Sequence, residues 1–248
     1  MSIHPGKTSL FAFAFAALTF VLSSTPVYAD TRAPWVGETL EGGKCVGKSI
    51  GFGPYDYRNR TRLPEQLAVV ENAHFTPEVE ALQTGNTSTA INDIAYTIMA
   101  WPNHHRALHS AIKFRMMNNP WPEKATVPPA ECQLQRAMAF SSEDPIPYMM
   151  YGLLLHKWQQ YEKALFVYQV AVKLQPNDVI MQYNMGLTLV ELEQYEEAIK
   201  VANAVYAAGM PLPGLKNKLI AAGQWPTGDE ASAAPAENSP PEVELTTP

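Results

Sequence analysis

A 34-residue period dominates the second half of the sequence. A fixed period of this length is typical of repeat architectures, in which each unit is one supersecondary motif that buries its apolar face against its neighbours. This feature limits the possible folds more than the composition does. The residues that recur one period apart include these pairs: Gly152 and Gly186, Tyr161 and Tyr195, Glu162 and Glu196, and Ala164 and Ala198.

Each unit has the pattern of two helices joined by a turn. Positions four, seven, eight and eleven fall on one face of a first helix. The small residues Gly152 and Ala164 let the two helices of a pair approach closely. Tyr161 marks the turn between the helices, and Pro176 ends the second helix, because the residue before a proline disfavours helical geometry. We therefore expect two stacked helical hairpins.

Residues 145–178, PIPYMMYGLLLHKWQQYEKALFVYQVAVKLQPND, and residues 179–212 resemble the tetratricopeptide repeat. The resemblance implies an all-α helical solenoid, and the alternative is an ordinary helical bundle with coincident spacing. A stable stack usually takes three or more repeats, so we expect degenerate helical repeats over residues 88–144 and a capping helix at residues 213–223. Residues 30–87 are predicted to form a loop-rich segment with short helices.

The first 29 residues predict a signal peptide. Lys7 gives a positive n-region, residues 10–22 form an apolar run, and Ala29 ends a cleavage sequence. A membrane anchor is the alternative, but Pro26 and the polar residues before it leave the run shorter than a spanning helix needs. We therefore expect an exported protein, periplasmic or secreted, with no membrane span after cleavage.

The C-terminal residues 224–248 are rich in proline and carry five acidic residues with no Lys or Arg. Such a segment cannot bury enough apolar surface to offset the entropy of ordering, so we predict a disordered acidic tail. The whole chain has a formal net charge of −6. A mildly acidic chain without a basic run is not typical of proteins that bind nucleic acid. We therefore expect no nucleic-acid partner.

The chain has two cysteines, Cys45 and Cys132. An even number of cysteines in an exported protein suggests a disulfide, because the compartment is oxidising. A bridge between them would hold residues 51–60, GFGPYDYRNR, against the front of the repeat array. A buried pair of free thiols is the alternative.

Residues 42–49, GGKCVGKS, match the string of a phosphate-binding loop. Such a loop must leave a buried strand and open directly into a helix, whose first amides face the phosphates. The preceding WVGETLEG is not an apolar strand, and Gly51, Gly53 and Pro54 interrupt any helix after the loop. We therefore do not expect nucleotide binding, and we expect no cofactor.

Residues 102–109, PNHHRALH, contain a cluster of histidines. His105 and His109 are four residues apart and share one face of a helix, a spacing that can chelate zinc. A metal site would need a third ligand, and the candidates are His74, Asp56 and His104. An exported metal-binding protein or enzyme that uses His104, His105 and His109 is therefore the alternative function, although no catalytic motif supports an enzyme.

The histidines also have a purely structural interpretation. In it, Asn103 caps the helix, and His104 and His105 occupy its exposed first turn. His105 or Arg106 then hydrogen-bonds the GPYDYR loop. We favour this interpretation and predict surface or loop-docking histidines.

Three stretches, GPYDYR, VENAHFTPEVEAL and PNHHRAL, resemble the N-terminal region of a group of bacterial exported proteins that carry tetratricopeptide repeats downstream. In that group a Cys precedes the GPYDYR stretch, and another lies in a segment similar to ECQLQRAM. Within these stretches, Thr76 and Pro77 predict the start of a short helix. The resemblance implies an architecture and no activity.

In tetratricopeptide repeats, positions two, five, nine, twelve and thirteen of each first helix line a concave groove. An exposed apolar strip of this kind usually marks a partner site, so we predict an exported scaffold that binds a protein or peptide there. The alternative is that the N-terminal segment of the chain covers the groove. The predicted groove residues are Ile146, Met149, Leu153, His156, Lys157, Tyr183, Asn184, Leu187 and Val190, with Ile180 and Glu191 at further groove positions.

Overall fold

The computed structural model describes Met1, residues 32–118, Trp121 and residues 126–225. Within these ranges the regular secondary structure is helical, apart from an isolated bridge between Glu38 and Lys44. No helix of the described part is long and apolar enough to cross a membrane. The helices are a 3-10 helix (Tyr57–Arg62) and α1 (Pro64–His74), α2 (Pro77–Glu80), α3 (Ala90–Ala100), α4 (His105–Met117), α5 (Ala130–Phe140), α6 (Pro145–Lys157), α7 (Tyr161–Leu174), α8 (Val179–Glu191), α9 (Tyr195–Ala207) and α10 (Gly214–Ala221).

Two sequence predictions fall mostly outside the described residues. The predicted signal peptide, residues 1–29, lies outside them except for Met1. The predicted tail, residues 224–248, lies outside them except for Gln224 and Trp225. Trp225 packs against the apolar cluster of α8, α9 and α10, so the folded part extends at least to this residue.

From α3 onward, the helices form a two-layer array. Helices α4, α6, α8 and α10 contact one another in sequence and form the first layer. Helices α5, α7 and α9 each pack against their neighbours in the first layer and form the second. This is the nearest-neighbour packing of an α-solenoid, and it confirms the predicted all-α fold.

The turns inside the two repeats are alike. Gln159 and Glu193, which are one period apart, have positive φ angles of 58° and 57°. The second helix of each repeat begins two residues later, at Tyr161 and Tyr195. The repeat of residue types is therefore also a repeat of backbone conformation.

The glycines at position eight permit the close packing that the sequence predicted. A Cβ atom added at Gly152 would lie 2.7 Å from the ring of Tyr168 on α7. A Cβ atom added at Gly186 would lie 2.6 Å from Leu215 on α10. Both distances are shorter than real Cβ contacts, so a larger residue at either position would force the helices apart.

Residues 38–44 form a short N-terminal hairpin that lies along α5. The side chain of Gln135 accepts the N–H of Glu38 (3.2 Å) and donates to its carbonyl oxygen (2.7 Å). The N–H of Leu40 donates to the Glu131 carboxylate at 3.2 Å. The side chain of Leu40 packs against both the apolar cluster of α3 to α6 and that of α6 and α7. The hairpin therefore packs against the N-terminal part of the helical array.

Cys45 and Cys132 form a disulfide, as the sequence predicted, with a Cα–Cα distance of 5.3 Å. Both residues are buried. The bridge joins the end of the N-terminal hairpin to the first turn of α5. It thus connects the loop-rich segment covalently to the helical array.

Candidate functional site

The first helices of the two repeats, α6 and α8, carry the predicted groove residues. Lys157 is exposed, and Leu153, Tyr183 and Asn184 are buried. The groove residues that are partly exposed are Ile146, Met149, His156, Leu187 and Val190.

Helix α10 explains the burial of Tyr183. Its ring packs in the apolar cluster that contains Leu215 and Leu219. Backbone groups of Gly214 and Leu215, at the start of α10, form hydrogen bonds with the hydroxyl of Tyr183. Burial raises the pKa of this hydroxyl. A role of Tyr183 as a partner contact stays a prediction, and it requires α10 to move.

The partly exposed apolar residues form a surface that we call the concave strip: Ile146 and Met149 on α6, and Ile180, Leu187 and Val190 on α8. Ile180 is 47% exposed in the first turn of α8. It lies on one face of the helix with Leu187 and Val190, because their spacing of seven and three residues follows the helical period. At the other end of α8, Glu191 forms an ion pair with Lys218 of α10 at 2.8 Å.

The contacts of the N-terminal segment place it against α3 to α7. Arg106 on α4 forms an ion pair with Glu80 at the end of α2, and Ser110 donates to the Glu80 carbonyl oxygen at 2.9 Å. The side-chain amide of Gln160, in the α6–α7 turn, donates to the carbonyl oxygen of Leu40 at 3.5 Å. The described residues leave Ile180 about half uncovered, so the N-terminal segment does not close that end of the concave strip.

His104, not Asn103, caps α4, so the expectation of an exposed histidine there is wrong. Its Nδ1 accepts the N–H of Ala107 at 3.1 Å, and its Nε2 therefore donates to the Glu71 carboxylate at 3.0 Å. The ring lies 4.2 Å from that of Tyr57 and 5.0 Å from that of Phe75. Burial lowers the pKa of His104, and the hydrogen bond from this ring lowers the pKa of Glu71. The neutral imidazole is thus a structural part of the interior.

Asn103 joins three loops instead of capping a helix. Its Oδ1 accepts the N–H of Tyr57 at 2.9 Å, and its Nδ2 donates to Asp56 and to Asp144, both at 2.8 Å. His105 Nε2 lies 2.8 Å from the same Asp144 oxygen. Among these neighbours it is Asn103 that bonds the GPYDYR loop directly, and the expected bonds from His105 or Arg106 are not seen in the described contacts.

Asp144 is a buried residue of this region that was not predicted from the sequence. This buried carboxylate caps α6 by accepting the N–H of Ile146 at 3.2 Å, and it also receives the bond from Asn103. The sequence does contain a signal for the capping role, because Asp144 directly precedes Pro145 at the start of a repeat. The second role depends on a residue 41 positions away, which local sequence cannot reveal.

The histidines proposed as zinc ligands do not form a common site in the described part of the chain. His74 lies 3.0 Å from the Asp93 carboxylate and stacks on Tyr96 at 3.9 Å. His109 is buried, and burial together with the nearby Lys113 lowers its pKa to about 4. In the part of the chain that the structure describes, no group of three or more His, Cys, Asp or Glu residues is placed to hold a metal ion.

The loop GGKCVGKS lies at the disulfide and not at the start of a helix. Cys45 in its centre is bonded to Cys132, and the carbonyl oxygen of Lys48 accepts the indole N–H of Trp35 at 3.1 Å. The next helical residue is Tyr57. The loop therefore lacks the helix N-terminus that a phosphate-binding loop needs. It lines a pocket of about 570 Å³ to which Met99 also contributes.

A comparison with models of protein families agrees with the repeat pattern. The model of the tetratricopeptide repeat matches residues 147–178 and 180–207, which correspond to α6–α7 and α8–α9. A solved structure titled "Crystal structure of MamA protein" is 17% identical, with a TM-score of 0.40, and the match covers 71% of this chain and 83% of that chain. Another, titled "Crystal structure of MamA", is 16% identical, with a TM-score of 0.38, and its match covers 73% of this chain and 100% of that chain. No curated protein matches the chain.

Proposed function

We propose that this chain, whose residues 147–178 and 180–207 match the tetratricopeptide repeat, is an exported scaffold that binds a protein or peptide partner on the concave strip. The observation that carries this proposal is the exposure of Ile180, which is 47%. It continues the line of partly exposed Leu187 and Val190 on the same face of α8. Apolar side chains grouped in this way are a common mark of a protein-binding surface.

The histidine environment gives little support to the alternative function of metal binding or catalysis. His104 uses both ring nitrogens, one for the Ala107 N–H and one for the Glu71 carboxylate. His105 lies within hydrogen-bonding distance of the buried Asp144 carboxylate. A metal ion would have to replace these bonds, which connect α4 to α1 and to the start of α6. The geometry therefore favours the scaffold.

Two observations support an oxidising compartment. The first 29 residues have the pattern of a cleaved signal peptide. The Cys45–Cys132 bridge is typical of exported proteins, since thiols stay reduced in the cytosol. We propose the periplasm, with secretion as the alternative. Fractionation and the intact mass of the expressed protein test this, and a cytosolic chain that retains residues 1–29 would contradict it.

Site-specific photo-crosslinking tests the binding face. Benzoylphenylalanine is placed at Ile180 of the mature chain, residues 30–248, and at Val69 as a control, because Val69 is 61% exposed on α1, away from the repeats. After incubation with a periplasmic extract, we expect one specific adduct from position 180 that is absent from position 69.

A matched pair of charge variants completes the test. Ile180→Glu puts a carboxylate on the concave strip, and Val69→Glu makes the same change elsewhere. We expect capture of the adduct partner to fall at least tenfold for Ile180→Glu only, with both variants keeping the wild-type thermal midpoint. Equal capture by the two variants would contradict the proposed face.

A further inference from the structure

A pocket between the N-terminal segment and the helical array has a size that suits a small ligand. Its volume is about 570 Å³, and pockets that bind small molecules usually measure about 300–1,000 Å³. Residues between Trp35 and Lys48 line it on one side, and residues of α3 and of the start of α5 line it on the other. We propose that this pocket binds a small apolar molecule that carries an anionic group. The site shares no residue with the concave strip.

The lining of the pocket is mainly apolar. Trp35 and Val46 contribute from the N-terminal segment, Met99 contributes from α3, and Val127 and Pro128 contribute from the loop before α5. Val46 is 73% exposed, and Met99 is partly exposed. An apolar ligand that covers these side chains removes their surface from water, which is favourable.

Contacts inside the protein hold the walls of the pocket in place. The indole N–H of Trp35 donates to the carbonyl oxygen of Lys48 at 3.1 Å, and the ring lies 4.9 Å from the guanidinium carbon of Arg136. A Cβ atom added at Gly47 would lie 2.4 Å from this ring, so glycine lets the loop pack closely here. Cys132 also lines the pocket, and its disulfide connects the two walls. The pocket is therefore already formed, and a ligand loses little free energy in ordering it.

The charge of the lining favours an anion. Lys44 and Lys48 line the pocket, and both residues are exposed. The ion pairs of the described residues include neither lysine. None of the described residues that line the pocket is an Asp or a Glu, although the whole chain has a net charge of −6. A carboxylate or sulfonate on the ligand can thus approach two ammonium groups, which bind anions well.

The acidic residues of the N-terminal hairpin lie outside the described lining. Glu41 forms an ion pair with Arg115 of α4. Glu38 is opposite Lys44 in the isolated bridge, but its carboxylate also acts on Tyr151 of α6. Burial, followed by the carboxylates of Glu131 and Glu38, raises the pKa of Tyr151 to about 12. The fixed charges of the described lining are therefore positive.

A buried hydrogen-bond acceptor without a partner also belongs to the lining. Gln133 is 1% exposed, and its Nε2 donates to the carbonyl oxygen of Pro128 at 2.8 Å. Its Oε1 has no hydrogen-bond partner among the described residues, and buried polar atoms of this kind are rare in folded proteins. An N–H or O–H group on the ligand would supply the donor that this oxygen lacks.

Dye binding to the full mature chain, residues 30–248, tests the proposal. The probe is 8-anilinonaphthalene-1-sulfonate, which combines aromatic rings, an N–H group and an anionic group. Its neutral analogue, N-phenyl-1-naphthylamine, lacks the sulfonate and serves as the control ligand. In fluorescence titrations we expect saturable binding of one sulfonate dye per chain and binding of the neutral analogue that is about tenfold weaker.

Two pairs of variants locate the dye, once each protein shows the wild-type circular dichroism spectrum and thermal midpoint. Lys44→Glu/Lys48→Glu reverses both charges of the lining and should weaken dye binding about tenfold or more. Lys173→Glu/Lys200→Glu makes the same change at exposed lysines of α7 and α9 and should weaken it less than about twofold. Met99→Trp fills the pocket and should abolish saturable binding, whereas Met99→Leu should retain it.

Four results would overturn the inference. These are the absence of saturable dye binding, equal affinity for the neutral analogue, equal effects of the two lysine pairs, or unchanged binding by a folded Met99→Trp protein. If Met99→Trp does not fold, the two lysine pairs decide the question. Ile180→Glu should bind the dye as the wild type does, and a loss of dye binding in this variant would place the dye on the concave strip and contradict the pocket. The pocket and the scaffold function are thus tested separately.

Discussion

Removal of the Cys45–Cys132 bridge should lower the stability of this protein substantially. Both cysteines are buried, so Cys45→Ala/Cys132→Ala introduces no buried hydroxyl. The bridge closes a loop across 87 positions of sequence, and for such a loop the chain-entropy relation gives about 4–5 kcal/mol of the free energy of unfolding. The hydrogen bonds of Gln135 to Glu38 do not need the bridge and should remain in the folded variant. The loss therefore arises mainly from the greater freedom of the unfolded chain.

Urea unfolding followed by far-ultraviolet circular dichroism measures this loss. The oxidised protein is compared with the double alanine variant and with the wild type after reduction, and the last two should agree. Thiol titration of the unreduced, denatured wild type provides the control and should find no free thiol. Two titratable thiols, or a loss below about 1 kcal/mol, would refute the reasoning.

Three further variants test the interior. Asn103→Leu removes the donor to two carboxylates and should lower the free energy of unfolding by about 3 kcal/mol or more. The control is Asn203→Leu on the exposed side of α9, which should change the free energy of unfolding by less than about 0.5 kcal/mol in the same urea assay. Gly152→Ala should cost about 1–3 kcal/mol through the clash with the neighbouring ring, while Gly51→Ala, which has open space around it, should be nearly neutral by thermal melting. Burial lowers the pKa of His109 from its usual 6.5 to about 4, so the contribution of its neutral side chain to the free energy of unfolding is complete above pH 6.5 and is lost as the pH falls towards 4. His109→Leu should accordingly reduce the loss of stability between pH 7 and pH 4.5 by about 2–3 kcal/mol, and equal losses in the two proteins would contradict this.

The repeat was predictable from the sequence because its determinants recur with a fixed period. Gly152 and Gly186 must be small since a neighbouring side chain occupies the space of a Cβ atom, and that requirement recurs with the period. The disulfide was predictable for a different reason: with two cysteines in the chain, only one intramolecular pairing is possible.

The environment of the histidines was not predictable, because distant residues decide it. Local preference favours Asn over His as a helix cap. His104 nevertheless caps α4, because its second ring nitrogen donates a hydrogen bond to the carboxylate of Glu71, 33 residues earlier. That leaves Asn103 to bond Asp56 and Asp144, which lie on opposite sides of it in the sequence. The burial of Tyr183 was missed in a similar way, because the position of α10 is a tertiary property.

The asymmetric placement of the N-terminal segment has a consequence for how the array opens. The bridge, the hairpin and the Asn103 bonds all attach to α3 through α7, whereas α8, α9 and α10 share an apolar cluster of their own. In a one-dimensional stack, each unit is stabilised only by its neighbours, so the clamped end and the far end should differ in their free energy of local opening. Amide hydrogens of α8 to α10 should thus exchange with solvent sooner than those of α4 and α5. The concave strip extends onto α8, in the half of the array that frays first, and a bound ligand would slow exchange most where the protein alone is least protected.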